Sequence, residues 1–178
     1  MQMSEKQKKI LIISTVLLLI FLSIIIVSKE ARANLYWRVG NFYFGGGAYD
    51  LAKARYFYDK AVEIYPELPG AYYQRARVNF IEGKFNNALS DINQELANHP
   101  DFKRSYYVRG LIYGYTRKLK EAEKDFLTFL DWKPGSWAGH NDLSWVYFQM
   151  GDFQKAEEQA RLGLLDSPTN PWLFNSLG

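Results

Sequence analysis

The sequence predicts an all-α protein in which an N-terminal transmembrane helix precedes four helix pairs and a truncated fifth. First, residues 10–28 form a run of nineteen without a charged side chain. Second, apolar residues in the remainder recur at the three- and four-residue spacing of helices that bury one face. Third, prolines recur every 34 residues, at Pro66, Pro100, Pro134 and Pro168.

The uncharged run over residues 10–28 has the length of a membrane span. At ~1.5 Å per residue, a helix of this length covers roughly 28 Å, close to the hydrocarbon thickness of a bilayer. Lys8 and Lys9 bound it on one side, and Lys29 and Arg32 on the other. We therefore expect a single-pass membrane protein with a short basic tail over residues 1–9.

A cleaved signal peptide is the alternative, because Ala31-Arg32-Ala33 resembles a cleavage site. Signal peptides usually have a shorter apolar region, of about 7–15 residues, which favours a retained anchor. Lys and Arg near the two ends of the run are equal in number, so loop charge nearly ties. The N-terminal charges are packed into nine residues, which predicts a cytoplasmic tail and an extracytoplasmic array.

Charge and composition exclude several function classes. The chain has 22 basic and 19 acidic residues, and residues 1–28 hold three Lys and one Glu. The remaining 150 residues therefore carry 19 basic and 18 acidic side chains, which gives no footprint for nucleic acid. With no Cys and only two His, the chain shows no metal spacing, cofactor motif or nucleophilic set. We expect no cofactor, no metal and no catalysis.

The interval of 34 residues holds in further registers, which indicates a stacked array of supersecondary units. In the fourth unit, helical spacing predicts helices over 137–150 and 153–166, separated by Gly151-Asp152. The array is predicted over residues 29–178, with units at 33–68, 69–102, 103–136 and 137–170 and a partial unit at 171–178. Small residues recur where paired helices should cross, in two series: Ala54, Ala88, Ala122, Ala156; and Gly40, Ala76, Gly110, Ser144, Gly178.

The helix pair, the period and the motif of the fourth copy, DLSWVYFQMGDFQKAEEQARLGLLDSP, resemble the tetratricopeptide repeat family. The family positions are filled by Leu143, Ser144, Tyr147, Gly151, Phe153, Ala156 and Pro168. The resemblance covers about residues 33–178 and implies an α-α superhelix, a solenoid whose first helices line a concave groove. The copies depart from the family at Arg75 and Arg109, which replace apolar residues, and at Glu95 and Phe129, which replace small ones. We expect the two arginines to be surface charges.

The resemblance implies a peptide- or protein-binding groove, and large aromatics with a few Arg and Asn suit protein recognition. Some of these aromatics could instead be core residues, as is expected for Tyr43, Tyr113 and Tyr147. Arg77, Arg104, Asn41 and Asn141 would fix the register of the guest. The predicted groove residues are Trp37, Asn41, Phe44, Tyr73, Gln74, Arg77, Phe80, Arg104, Tyr107, Leu111, Tyr115, Asn141, Trp145, Phe148 and Trp172.

Some members of this family grip the C-terminal carboxylate of heat-shock chaperones with a clamp of Lys, Asn and Arg. Asn41 matches that pattern and Arg104 could replace a Lys. Trp37, Gln74 and Val108 occupy the other clamp positions and do not match. A carboxylate clamp is therefore not expected.

The sequence thus predicts a non-catalytic, membrane-anchored scaffold that binds a partner protein or peptide segment and assists assembly of a complex at the membrane. One alternative is the substrate-recruiting region of a longer enzyme whose catalytic domain lies elsewhere. Another is self-association through an uncapped C-terminal face, because PWLFNSLG begins a fifth copy in register.

Overall fold

The computed structural model describes residues 4–46 and 49–175, without the side chains of residues 23–28 and 174–175. Within this part of the chain all regular structure is helical, as predicted. The chain divides into two compact units, Met1–Ala71 and Tyr72–Gly178, here called unit 1 and unit 2. The helices are α1 Glu5–Gly45, α2 Leu51–Ile64, α3 Ala71–Ile81, α4 Phe85–Asn98, α5 Arg104–Tyr115, α6 Leu119–Trp132, α7 Trp137–Met150, α8 Phe153–Asp166 and α9 Pro171–Asn175.

The predicted transmembrane helix over residues 10–28 is wrong. No helix in the described part of the chain is both long and apolar enough to cross a membrane. Residues 10–22 instead belong to α1, which starts at a capping box between Ser4 and Gln7 and continues through charged residues to Gly45. The described uncharged side chains, from Ile10 to Leu22, would cover only about 20 Å of helix, against a hydrocarbon core of about 30 Å.

The predicted localisation falls with this span. A single-pass membrane protein with its array on the extracytoplasmic side requires a spanning helix, and the described residues supply none. Membrane attachment through residues 10–28 therefore has no part in the function proposed below. The unit limits within the array stay a prediction.

In unit 2, helices adjacent in sequence pack on one another from α4 to α9, and α5 also contacts α7. One apolar cluster joins α3, α4 and α5 around Ala76, Ile92 and Ile112. A second joins α5, α6, α7 and α8 around Phe126 and Leu143. The contact of α5 with α7 places first helices of successive pairs side by side, so they share one face.

The small residues at helix crossings are matched to the size of the residue that each one faces. A Cβ built on Gly110 would lie 2.9 Å from Cε1 of Phe126, and one on Gly40 would lie 2.6 Å from Cε1 of Tyr58. Both rings are almost fully buried and cannot swing away. At the equivalent crossing in the second copy, Ala76 lies in the same cluster as the smaller Ile92. Gly178, which ends this series, lies outside the described residues.

Gly110→Ala is expected to destabilise the full chain by about 1–2 kcal/mol, because overpacking against Phe126 outweighs a gain of about 1 kcal/mol in helix propensity. Adding Phe126→Ile reproduces the Ala76–Ile92 arrangement, so the two substitutions should cost less together than the sum of their separate effects. Urea unfolding of the four proteins measures this coupling. Gly110→Ala more stable than the unmodified chain would contradict the size matching.

Arg75 and Arg109, expected to be surface charges, instead form ion pairs within their helix pairs. Arg75 donates to both carboxylate oxygens of Asp91, at 3.0 and 2.6 Å. Arg109 does the same to Asp125, at 2.7 and 2.9 Å. Both aspartates are buried. The four residues keep the 34-residue interval, so each pair replaces an apolar contact with a two-pronged polar one.

Glu95, which replaces a small residue of the family pattern, is fully buried and serves α3. Its Oε2 accepts a hydrogen bond at 3.1 Å from the backbone N–H of Tyr73, in the first turn of that helix. Such N–H groups have no partner within their own helix, and the helix dipole favours a negative charge there. The departure from the family pattern at Glu95 thus anchors α3.

Candidate functional site

The three predicted groove residues of unit 1 make contacts that stabilise that unit. Trp37 donates through Nε1 to the carbonyl oxygen of Gly70 at 3.3 Å. Asn41 accepts from the hydroxyl of Tyr58 at 2.8 Å, and Phe44 is buried. These side chains serve internal packing and carry no part of the proposal below.

Unit 2 presents three depressions along the helices that begin successive pairs. The first, of about 260 Å³, is lined by Tyr73, Arg77, Phe80, Ile81, Tyr107, Val108 and Leu111. The second, of about 450 Å³, is lined by Tyr73, Arg104, Tyr107, Phe129, Trp132 and Lys133. The third, of about 470 Å³, is lined by Gly110, Leu111, Gly114, Tyr115, Phe126, Asn141, Asp142, Trp145 and Trp172.

The depressions share walls, so they form one continuous surface, here called the recognition surface. Tyr73 and Tyr107 separate the first depression from the second, and Leu111 separates the first from the third. Tyr107, Leu111 and Tyr115 are four residues apart on α5, a spacing that projects side chains from one helix face. Most of the residues predicted for the groove of unit 2 therefore do lie together.

The two predicted residues outside the depressions are Gln74 and Phe148. Gln74 accepts a hydrogen bond at 2.8 Å from Arg77, so it orients a side chain of the first depression. Phe148 is exposed and packs edge-on against Phe153, with ring centroids 5.6 Å apart. Gln74 thus supports the recognition surface from outside it.

Tyr107 forms the centre of the recognition surface and is held from two sides. Its ring packs on Phe129, with centroids 4.9 Å apart, and on Phe126. Its hydroxyl donates to Oδ2 of Asp142 at 2.6 Å, which ties α5 to α7. Burial raises the pKa of the Tyr107 hydroxyl, and the neighbouring Asp142 carboxylate raises it further. Tyr107 therefore remains a neutral donor.

Charge is distributed unevenly over the recognition surface. Arg77, Arg104 and Lys133 line the first and second depressions. The guanidinium of Arg77 lies over the ring of Tyr73, 5.7 Å from its centroid. Asp142 lines the third depression. The surface is thus basic at the α3 side and acidic at α7.

Sequence reasoning did not select Trp132, Lys133 or Asp142 as site residues. Trp132 and Lys133 lie at the end of α6, a second helix of its pair, whereas the search was confined to first helices. Asp142 follows Asn141 directly, but its neighbourhood depends on the contact of α5 with α7. A search for acidic residues next to predicted groove positions could have found it.

The described residues include no group of three or more His, Asp or Glu side chains placed to hold a metal ion. His140 is buried, and its ring nitrogens lie 2.8 Å from the Gln159 side chain and 2.8 Å from the carbonyl oxygen of Pro134. Its contacts join the start of α7 to α8 and to the preceding turn. This histidine has a structural role.

Comparison with known proteins supports the tetratricopeptide repeat family, whose model matches residues 103–136. RNA polymerase II-associated protein 3 from Homo sapiens is 34% identical over 104 residues, and the Rattus norvegicus protein is 33% identical. The match covers 58% of this chain but only 15% of the human protein. No membrane anchor is supported by these matches.

Three solved structures illustrate the likeness of the fold. The first tetratricopeptide repeat region of Spaghetti (RPAP3), bound to the HSP90 peptide SRMEEVD, is 28% identical with a TM-score of 0.64, over 68% of this chain and 95% of that one. MamA is 17% identical with a TM-score of 0.69, over 94% and 97%. The Cut9–Hcn1 assembly of APC/C is 14% identical with a TM-score of 0.77, over 82% and 29%. The last two likenesses concern the fold alone.

Proposed function

We propose that this tetratricopeptide repeat chain is a non-catalytic scaffold that binds an extended segment of a partner protein on the recognition surface of unit 2. The observation that carries the proposal is the continuity of three depressions across α3, α5 and α7. By holding such a segment the chain would assist assembly of a protein complex. A solved relative of 28% identity, the RPAP3 repeat region, holds a peptide.

Exposed aromatic rings support this function. Tyr115 is 64% exposed, Trp145 40% and Trp172 68%, and all three line the third depression. Exposed apolar surface of this kind, rimmed by polar groups, marks interaction sites. Aromatic rings are common binding hot spots because they bury a large area and lose little conformational entropy.

Polar side chains along the surface suit the backbone of an extended guest. Arg77 and Arg104 offer N–H donors, and Asn141 offers both a donor and an acceptor. An extended peptide exposes backbone carbonyl and amide groups on both sides, and its alternate side chains can enter successive depressions. The spacing of the depressions across first helices therefore fits an extended segment.

The guest differs in chemistry from the HSP90 peptide of the RPAP3 structure. The positions of a carboxylate clamp hold Trp37, Gln74 and Val108 instead of its polar and basic residues. In the structure Trp37 bonds to Gly70, Gln74 to Arg77, and Val108 is buried. None of the three is placed to hold a terminal carboxylate, so we propose an internal segment as the guest.

Tyr73→Ala combined with Trp145→Ala is expected to weaken peptide binding by at least about thirtyfold, since hot-spot truncations cost about 2 kcal/mol or more. Peptides would be selected on the full chain from a displayed library of random twelve-residue sequences. Their affinities for both proteins would then be measured by fluorescence anisotropy.

Trp137→Ala is the matched control, because Trp137 lies on the same helix as Trp145, is 38% exposed and lines none of the three depressions. It should leave affinity within about twofold, as expected for a residue outside the interface. Selected peptides that bind the double variant as tightly as the unmodified chain would refute the proposed surface. Thermal unfolding of each variant confirms that the fold is retained.

A further inference from the structure

The third depression differs from the other two in carrying a carboxylate instead of cationic groups. Asp142 lies in its wall, beside the exposed rings of Tyr115, Trp145 and Trp172. A Cβ built on Gly114 would lie 3.2 Å from Cζ3 of Trp145, so this ring sits against the backbone of α5. The pocket thus combines one acid with several aromatic faces.

Asp142 also differs from the buried aspartates of unit 2 that have arginine partners. Asp91 pairs with Arg75, and Asp125 pairs with Arg109. Among the residues that the structure describes, Asp142 forms no ion pair. Its partners are the hydroxyl of Tyr107 at 2.6 Å and, more weakly, the side-chain amide of Asn141 at 3.3 Å.

These two hydrogen bonds leave acceptor capacity on the carboxylate, since each oxygen can accept two. Burial raises the pKa of Asp142, against the opposing effect of the hydrogen bonds from Tyr107 and Asn141. A buried carboxylate without a cation carries a desolvation cost that a positive charge would offset. A cation entering the third depression would therefore be attracted electrostatically.

The aromatic rings favour the same kind of ligand. The faces of Trp and Tyr carry negative charge density and attract ammonium and guanidinium groups within about 6 Å. A volume of about 470 Å³ admits a long side chain. We propose that the third depression takes a lysine or arginine side chain of the bound segment, with the cation beside Asp142 and against the ring of Trp145. This inference rests on the proposed function.

The inference is tested on the unmodified full chain with four displayed libraries of twelve-residue peptides. Each library has Arg, Lys, Gln or Glu fixed at a central position, and the other positions are random but exclude Lys and Arg. We expect the Arg and Lys libraries to be enriched at least about tenfold over the Gln library, and the Glu library to be enriched least. Equal enrichment of all four libraries would overturn the inference while leaving peptide binding established.

Two substitutions then separate recognition of a cation from a structural role of Asp142. Asp142→Asn keeps an oxygen that can accept from Tyr107 but removes the charge, so an Arg peptide should lose its advantage over the matched Gln peptide. Tyr107→Phe removes the hydrogen bond and keeps the charge, so it should retain most of that advantage. Equal loss in both variants would mean that Asp142 only positions Tyr107.

The remaining outcomes also decide between the two proposals. If no library is enriched on the unmodified chain, both the proposed function and this inference fail. If peptides are enriched and lost in the Tyr73→Ala, Trp145→Ala variant, but show no preference for a basic residue, only the inference fails. Should Asp142→Asn unfold, the library comparison on the unmodified chain decides alone.

Discussion

Replacing Arg109 with Leu is expected to lower the free energy of unfolding of the full chain by about 3 kcal/mol. Asp125 is 2% exposed, and both of its carboxylate oxygens accept from Arg109. Without the guanidinium, a buried charge would remain with neither water nor a cation to compensate it. Arg109 also donates to Asn93 at 3.1 Å, so the substitution removes a contact between α4 and α5.

The fourth copy provides the compensating variant. Leu143 and Gln159 lie 34 residues after Arg109 and Asp125, and Leu143 is fully buried there. Arg109→Leu with Asp125→Gln should therefore recover most of the stability lost in the single variant. Removing both members of a buried ion pair costs far less than removing one.

Thermal and urea unfolding of the full-length variants measure this difference, with an expected fall in Tm of about 6–12 °C for the single substitution. Arg161→Leu is the control, because its ion pair with Glu157 is exposed, at 68% and 56%. Such a pair should contribute no more than about 0.5 kcal/mol. A single variant of unchanged stability, or a double variant no better than the single, would contradict this account.

Glu95→Ala is expected to cost about 2–4 kcal/mol, because it leaves a cavity and removes the acceptor of a buried N–H group. Glu95→Gln keeps the shape and an accepting oxygen and should cost less, about 1–2 kcal/mol. The control is Glu121→Ala, since Glu121 is exposed in the first turn of α6. Urea unfolding followed by circular dichroism distinguishes the three variants.

The same substitution should reach the binding surface. Glu95 fixes the first turn of α3, and this helix carries Tyr73 and Arg77 of the first depression. Peptides selected on the unmodified chain should therefore bind Glu95→Ala more weakly than Glu121→Ala. Unchanged stability and unchanged binding in Glu95→Ala would show that the contact with Tyr73 is dispensable.

The helical fold could be predicted because its signals are local and repeat along the chain. The 34-residue interval locates the turns, and helical spacing locates the buried faces. Gly110 could be assigned to a helix crossing from that interval alone. Its close approach to Phe126 adds a matching of sizes that the small-residue series did not contain.

Pairings between facing helices escaped the sequence reasoning. Arg109 and Asp125 are sixteen residues apart, so no periodicity within one helix joins them. The recurrence of both types at the 34-residue interval, as Arg75 and Asp91, was the available signal. Glu95 was taken for an irregularity of packing because its partner is a backbone group, which leaves no trace in side-chain patterns.

The site was predicted best where one helix face defines it. Tyr107, Leu111 and Tyr115 follow from the spacing on α5, and the structure places them around shared walls. Asp142 required knowledge that α5 contacts α7. The transmembrane prediction failed because it judged residues 10–28 by their composition alone, whereas the described helix continues through charged residues to Gly45.

The most direct measurement of the central claim is photo-crosslinking of a selected peptide to the full chain. The crosslinking amino acid p-benzoylphenylalanine would replace Arg77, Trp145 or Trp137 in turn, and mass spectrometry would locate the linked peptide residue. An extended guest on the recognition surface predicts capture from positions 77 and 145, at different peptide residues in a constant order, with little capture from 137. Equal capture from position 137, or capture of one peptide residue from both 77 and 145, would contradict it.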